Sequence, residues 1–250
     1  MRSLVASMCG VLLAGGCGPS ERPGAGVDGG GAGAIDAGNA GPFFDADLGR
    51  CQQIDLLFVI DNSGSMQQEQ ANLAANFPGF IAVLEASGLD YRVGVTTTGR
   101  DYAYQLATPI GAIAMDQDGG DNGHLLAPSG CGMTRPWIEQ ADADPAGTFA
   151  CLAAVGTSGP SDEMPLGALR DALEDRMLDG SNAGFLRPDA LLAVVILTDE
   201  DDCSYEQPVT LALGQTLCSA QMEPVGAYVG FLDTLTGARQ RWATAVIAGA

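Results

Sequence analysis

Leu56-Leu57-Phe58-Val59-Ile60-Asp61-Asn62-Ser63-Gly64-Ser65-Met66 joins a run of five apolar residues to a turn made of oxygen ligands. The run is β-branched and aromatic, with the length and composition of a strand buried on both faces of a parallel sheet. Beyond it, Asp61, Ser63 and Ser65 fall at alternate positions around Gly64. A carboxylate and two hydroxyls in a tight turn at the carboxyl end of such a strand converge on one point, because open α/β sheets have their crevice there. Oxygen-only donors suit a hard cation, Mg2+ or Ca2+. The same residue types also suit a capped strand-to-helix turn, so the triplet alone does not separate the two readings.

A second buried strand tips the balance. Residues 190–198 (ALLAVVILT) are continuously apolar up to their last residue and end on Asp199. Asp61, Ser63, Ser65 and Asp199 in these contexts resemble the metal-ion-dependent adhesion site of von Willebrand factor A (vWA) domains, whose first motif is D-x-S-x-S after an apolar strand. The resemblance covers about residues 51–250 and rests on two matched loops. It implies a third loop carrying a Thr. That loop should lie just before an amphipathic helix starting near Glu163, where Ser161 is the first candidate and Thr157 the second. The implied ligand set is Asp61, Ser63, Ser65, Ser161 (or Thr157) and Asp199, holding Mg2+, Ca2+ or Mn2+ partly through water. With few anions in direct contact the ion stays electrophilic, and an open coordination position accepts a carboxylate from a partner protein.

The rest of residues 51–250 fits an α/β architecture. Residues 67–84 place Leu73, Phe77, Phe80, Ile81 and Leu84 at helical spacing, with an interruption at Pro78 that predicts a kink or two short helices. Tyr91–Thr97 alternates as a strand. About residues 99–160 show no regular pattern except a short helix at Thr148–Val155, which exceeds normal connection lengths and reads as an insertion pinned by disulfides. Leu166, Leu169, Leu173 and Met177 then share one face of an amphipathic helix. An acidic loop, a helix opened by Pro224 and a strand at Trp242–Ile247 complete the pattern. Strands alternating with helices give a doubly wound, mainly parallel sheet flanked by helices, Rossmann-like in plan. Such a domain normally ends on a further helix, which would lie beyond Ala250.

The N-terminus points to export. Arg2 precedes an apolar stretch from Leu4 to Gly16, too short for a bilayer and proportioned as a signal peptide. It ends in Leu-Ala-Gly-Gly-Cys, which resembles a bacterial lipobox and implies lipid attachment at Cys17 and a membrane anchor. Gly18 after the cysteine favours the outer membrane of a cell envelope. Residues 18–50 are Gly, Ala, Asp and Pro with hardly a large apolar side chain before Phe43, the composition of a disordered acidic tether.

Charge and residue inventory exclude several classes. The formal net charge is −20, which argues against nucleic acid. All 11 basic residues are Arg, so there is no Walker-type phosphate loop and no Schiff-base lysine. His124 stands alone in a Gly-rich stretch, Ser63 is not in G-x-S-x-G, and Asn62 interrupts the D-[ST]-G that an aspartic protease needs in two copies, so hydrolase readings have little to work with. Asp116, Asp118 and Asp121 in DQDGGDNG lack the distal Glu of an EF-hand and read as a solvated acidic turn. Glu200 and Asp202, beside Asp199, also read as solvated. Of seven cysteines, at 9, 17, 51, 131, 151, 203 and 218, none forms a C-x-x-C pair. An exported chain makes disulfides the default, and the expected pairs are Cys203 with Cys218 and Cys131 with Cys151, leaving Cys51 over.

These readings converge on an exported, lipid-anchored protein with one vWA-like domain that binds a divalent cation and, through it, a protein ligand. It reads as a binding module and not as an enzyme. The alternatives are a structural envelope lipoprotein with a vestigial, metal-free site, and a secreted serine hydrolase.

Overall fold

In a computed structural model of the chain, residues 52–205, 209–219 and 222–248 are described. The expected leader, lipobox cysteine Cys17 and tether, together with Cys51, lie outside them. In chain order the elements are β1 (Gln53–Ile60), α1 (Gln67–Ser87), β2 (Asp90–Thr97), β3 (Tyr102–Thr108), β4 (Gly111–Gln117), β5 (Ile138–Glu139), α2 (Pro145–Leu152), α3 (Pro165–Leu173), α4 (Asp175–Leu178), β6 (Leu191–Thr198), β7 (Val209–Ala212), α5 (Val225–Thr236) and β8 (Trp242–Ala248).

The opening strand lies at the centre of the larger sheet, whose order is β5-β2-β1-β6-β8. β1 pairs in parallel with β2 and with β6, β6 pairs in parallel with β8, and only the two-residue β5 is antiparallel. A central strand has both faces covered, which is why Ile54 to Ile60 are all buried and all but Asp55 apolar. Successive side chains divide between the two faces. Ile54, Leu56, Phe58 and Ile60 meet Phe77, Phe80, Ile81 and Leu84 of α1 and Phe149 and Leu152 of α2. Leu57 and Val59 meet Ala168, Leu169, Ala172 and Leu173 of α3 and Leu232 of α5. The fold is therefore mixed α/β, with a mostly parallel sheet flanked by helices on both faces.

Two expectations need correction. Pro78 does not divide its helix, since α1 runs unbroken from Gln67 to Ser87 and ends at Gly88 in the left-handed conformation (φ 72°). A proline in a helix interior costs roughly 3 kcal/mol. Burying Phe77, Phe80, Ile81 and Leu84 contributes about 1.5–3 kcal/mol for each side chain, so packing outweighs the break. The stretch from 99 to 160 is also more regular than its pattern suggests. β3 and β4 form an antiparallel hairpin, and β7 adds in parallel to make a second sheet of order β4-β3-β7. A small separate core of Tyr102, Met164, Cys203, Tyr205, Val209, Leu211 and Leu217 backs it.

The disulfides pair as expected. Cys131–Cys151 ties α2 to an earlier part of the insertion, and Cys203–Cys218 closes the loop that follows β6. Loops of 20 and 15 residues place each crosslink at about 3 kcal/mol in the chain-entropy account. The short helix in the insertion is α2, started by Asp144, whose carboxylate accepts from the Gly147 amide at 2.9 Å.

Candidate metal centre

Three parallel strands end side by side at one edge of the larger sheet. The Asp61 amide donates to Leu197 O at 2.9 Å and the Thr98 amide to Ile60 O at 3.2 Å, so the residues leaving β1, β2 and β6 are neighbours. Asp61 is fully buried. Its Oδ1 accepts from the Ser63 amide and its Oδ2 from Thr198 Oγ1, both at 2.7 Å. The carboxylate is thereby clamped from its own turn and from the neighbouring strand. Gln70, on the first turns of α1, donates from Nε2 to Asp61 O and to Gly156 O, each at 2.8 Å, and joins the motif to the loop before α3.

The hydroxyls extend from this anchor toward solvent. Ser63 Oγ and Ser65 Oγ are 3.1 Å apart, and Ser65 Oγ donates to Asp199 Oδ1 at 3.1 Å. Asp199, 134 positions away in the chain, thus meets the D-x-S-x-S turn directly. These spacings fit a hard cation, because adjacent oxygens around an octahedral ion at ~2.1 Å lie about 3 Å apart. Ser65 and Asp199 are exposed, so the rim is open for entry.

The third loop is arranged differently from the expectation. Ser161 and Thr157 are both exposed, and among the described residues neither hydroxyl bonds to Asp61, Ser63, Ser65 or Asp199. Ser161 lies instead beside the Tyr102 hydroxyl, which donates to Asp162. The loop is held to the motif by its backbone: the Gly159 amide donates to Asn62 O at 3.0 Å, and any side chain on Gly159 would collide with the Asn62 amide. Glu163 in this loop is fully buried. Thr98 Oγ1 donates to its Oε2, while among the described residues Oε1 has no partner. Asn62 Oδ1 is likewise buried and, among the described residues, unpartnered. Burial pushes the Glu163 carboxyl up to about 7 against the opposing Thr98 hydrogen bond, and Asp61, Glu200 and Asp162 push the same way. Glu200 is raised by burial and by Asp61, Asp199 and Asp162. The charges acting on both groups are all acidic, which is the electrostatic setting a cation would relieve.

Sequence reasoning missed Thr198, Gln70 and Glu163. Thr198 reads as the last residue of a strand, Gln70 as the solvent face of a helix, and Glu163 as the acidic start of one. Asp202 is also not the solvated residue expected, since its Oδ1 accepts from the Leu166 amide at 3.0 Å and from Ser204 Oγ at 2.7 Å. It caps the first turn of α3. Asp116 and Asp118 are exposed, and Asp121 accepts from Thr97 Oγ1 at 2.7 Å. Among the described residues, the group of Asp, Glu, Cys or His ligand atoms drawn within 4.8 Å is Asp162, Cys203 and Cys218. Its two sulfurs form the disulfide and offer no thiolate. Asp61, Glu163 and Asp199 are not so closely gathered, so an ion here would take hydroxyls directly and some of the carboxylates through water.

No family model and no curated protein matches this chain. Among solved structures it is similar to the pilus adhesin (RrgA) from Streptococcus pneumoniae, at 11% identity and a TM-score of 0.27. The match covers 60% of this chain and 21% of the adhesin, a likeness too distant to carry an argument.

Proposed function

We propose that the chain is an exported, lipid-anchored envelope protein whose vWA-like domain binds Mg2+, Ca2+ or Mn2+ at Asp61, Ser63, Ser65 and Asp199. Through that ion it engages a carboxylate on a partner protein. The observation that carries this reading is the 3.1 Å contact between Ser65 Oγ and Asp199 Oδ1, which joins the two loops. The parallel strand order supports it, since the acidic rim sits where open α/β sheets place their ligands. The leader-like N-terminus and the two disulfides support export.

A melting experiment tests it. An ion at a hundredfold its dissociation constant stabilises by about 2.7 kcal/mol. For a domain of this size that is roughly 5–10 °C. Adding Mg2+ to chelated protein should raise the Tm by this amount, and Asp61→Ala should abolish the rise; identical responses defeat the assignment. A second reading, a structural envelope protein with a metal-free site, draws on the same contacts, because Ser63, Ser65 and Asp199 already satisfy one another. It predicts no response to metal in either protein. A hydrolase would require a base near Ser63 or Ser65, whereas His124 has Nδ1 on Asp121 O at 2.8 Å and Nε2 near Arg176 Nη1 at 3.4 Å.

A further inference from the structure

Resting on the cation-binding reading, we infer that Glu163 supplies the third-loop anion in place of Ser161 or Thr157, so that the ion faces three carboxylates from three loops, some of them through water. The geometry that leads there begins with an orphaned atom. Glu163 is fully buried and, among the described residues, Oε1 has no hydrogen-bond partner, a condition uncommon in folded proteins. The side chain is not free to turn away. Thr98 Oγ1 fixes Oε2, the Met164 amide donates to Thr98 O at 3.2 Å, and the Cys203 amide donates to Glu163 O at 2.8 Å.

Each of those anchors belongs to the metal rim. Thr98 follows β2 and bonds to Ile60, the residue before Asp61. Cys203 lies in the loop that starts at Asp199 and is locked to Cys218. Glu163 is thus pinned between the two loops that carry the other ligands, with Asp61 and Glu200 as electrostatic neighbours. Asn62 Oδ1, buried and unpartnered in the same turn, marks a second polar atom that a hydrated ion could satisfy.

The chemical consequence follows from the charge count. A hydroxyl in the third loop leaves two carboxylates against a dication, whereas Glu163 leaves three. The site then holds its ion without help from a partner, and an incoming carboxylate meets a weaker pull. Affinity for the bare cation rises with the number of anionic ligands.

The test is Mn2+ binding to the full chain, followed by electron paramagnetic resonance, for wild type, Glu163→Gln, Glu200→Gln, Ser161→Ala and Thr157→Ala. Glu163→Gln should weaken Mn2+ by about tenfold or more and alter the spectrum of the bound ion, a change of about 1.4 kcal/mol. Ser161→Ala and Thr157→Ala should stay close to wild type, and Glu200→Gln should fall far less than Glu163→Gln. Circular dichroism in chelator checks that the variants fold; should Glu163→Gln not fold, Glu163→Asp, which keeps the charge but withdraws it by one methylene, decides by the same two readouts. The inference is overturned if wild type binds and Glu163→Gln binds equally, if Ser161→Ala or Thr157→Ala produces the loss, or if Glu200→Gln matches it. A wild type that binds no Mn2+ at all removes the cation reading itself, and this inference with it.

Discussion

Glu163→Gln in metal-free protein isolates what it costs to bury a carboxylate among other carboxylates. The ordinary Glu value is 4.5, and burial raises Glu163 to about 7. Between those two pH values the folded chain keeps a proton that the unfolded chain has released. Its contribution to stability is therefore complete below pH 4.5 and is lost as the pH climbs through about 7. At 1.36 kcal/mol per pH unit the loss comes to about 3 kcal/mol, or roughly 6–12 °C in Tm. Glutamine keeps the shape and the Thr98 contact but cannot ionise, so the variant lacks this component. Glu200, Asp55, Asp171 and Asp202 are also raised by burial, but they tilt both proteins alike. The assay is urea unfolding in chelator at half-unit steps from pH 4 to pH 8. The difference between variant and wild type should open in favour of the variant by about 3 kcal/mol and then level off. Two parallel curves would refute the burial argument.

Other outcomes follow from particular contacts. Arg187 donates from its amide and from Nε to fully buried Asp55, at 2.6 and 2.8 Å. Arg187→Ala should destabilise by about 3 kcal/mol in urea titrations, because buried Asp55 keeps the residue 187 amide but loses its counter-charge, and adding Asp55→Asn should recover part of the loss. Gly159→Ala should cost about 1–3 kcal/mol by forcing its methyl into the Asn62 side chain. The same displacement should weaken Mn2+ binding measured by titration, while a variant that binds normally would show that this loop does not shape the rim.

The centre of the sheet was the most readable part of the chain, and physics explains why. β1 and β6 are buried on both faces, so their sequences are continuous apolar runs that few other structures demand. The residue that ends each run, Asp61 or the Thr198-Asp199 pair, announces the crevice. β3 and β4 offered no such sign. β4 is largely exposed and β3 mostly half-buried, both carry small residues such as Ala103, Ala107, Ala112 and Ala114, and their pairing is decided by tertiary neighbours, with Tyr205 OH reaching Ala103 O at 3.0 Å. Glu163 was hidden for a different reason. An acid just ahead of a helix is ordinarily a favourable surface charge near the positive end of the dipole. Only the folded chain reveals that Tyr102, Met164 and the Cys203 loop close over that position.

The Cys203–Cys218 crosslink has an implication for timing. It braces the segment whose first residue is Asp199 and whose Cys203 amide grips Glu163. Reduction would open that brace and release the Cys203 segment from Cys218. If the chain is exported and the ion held as proposed, metal loading would be a late event in maturation, governed by the thiol chemistry of its destination.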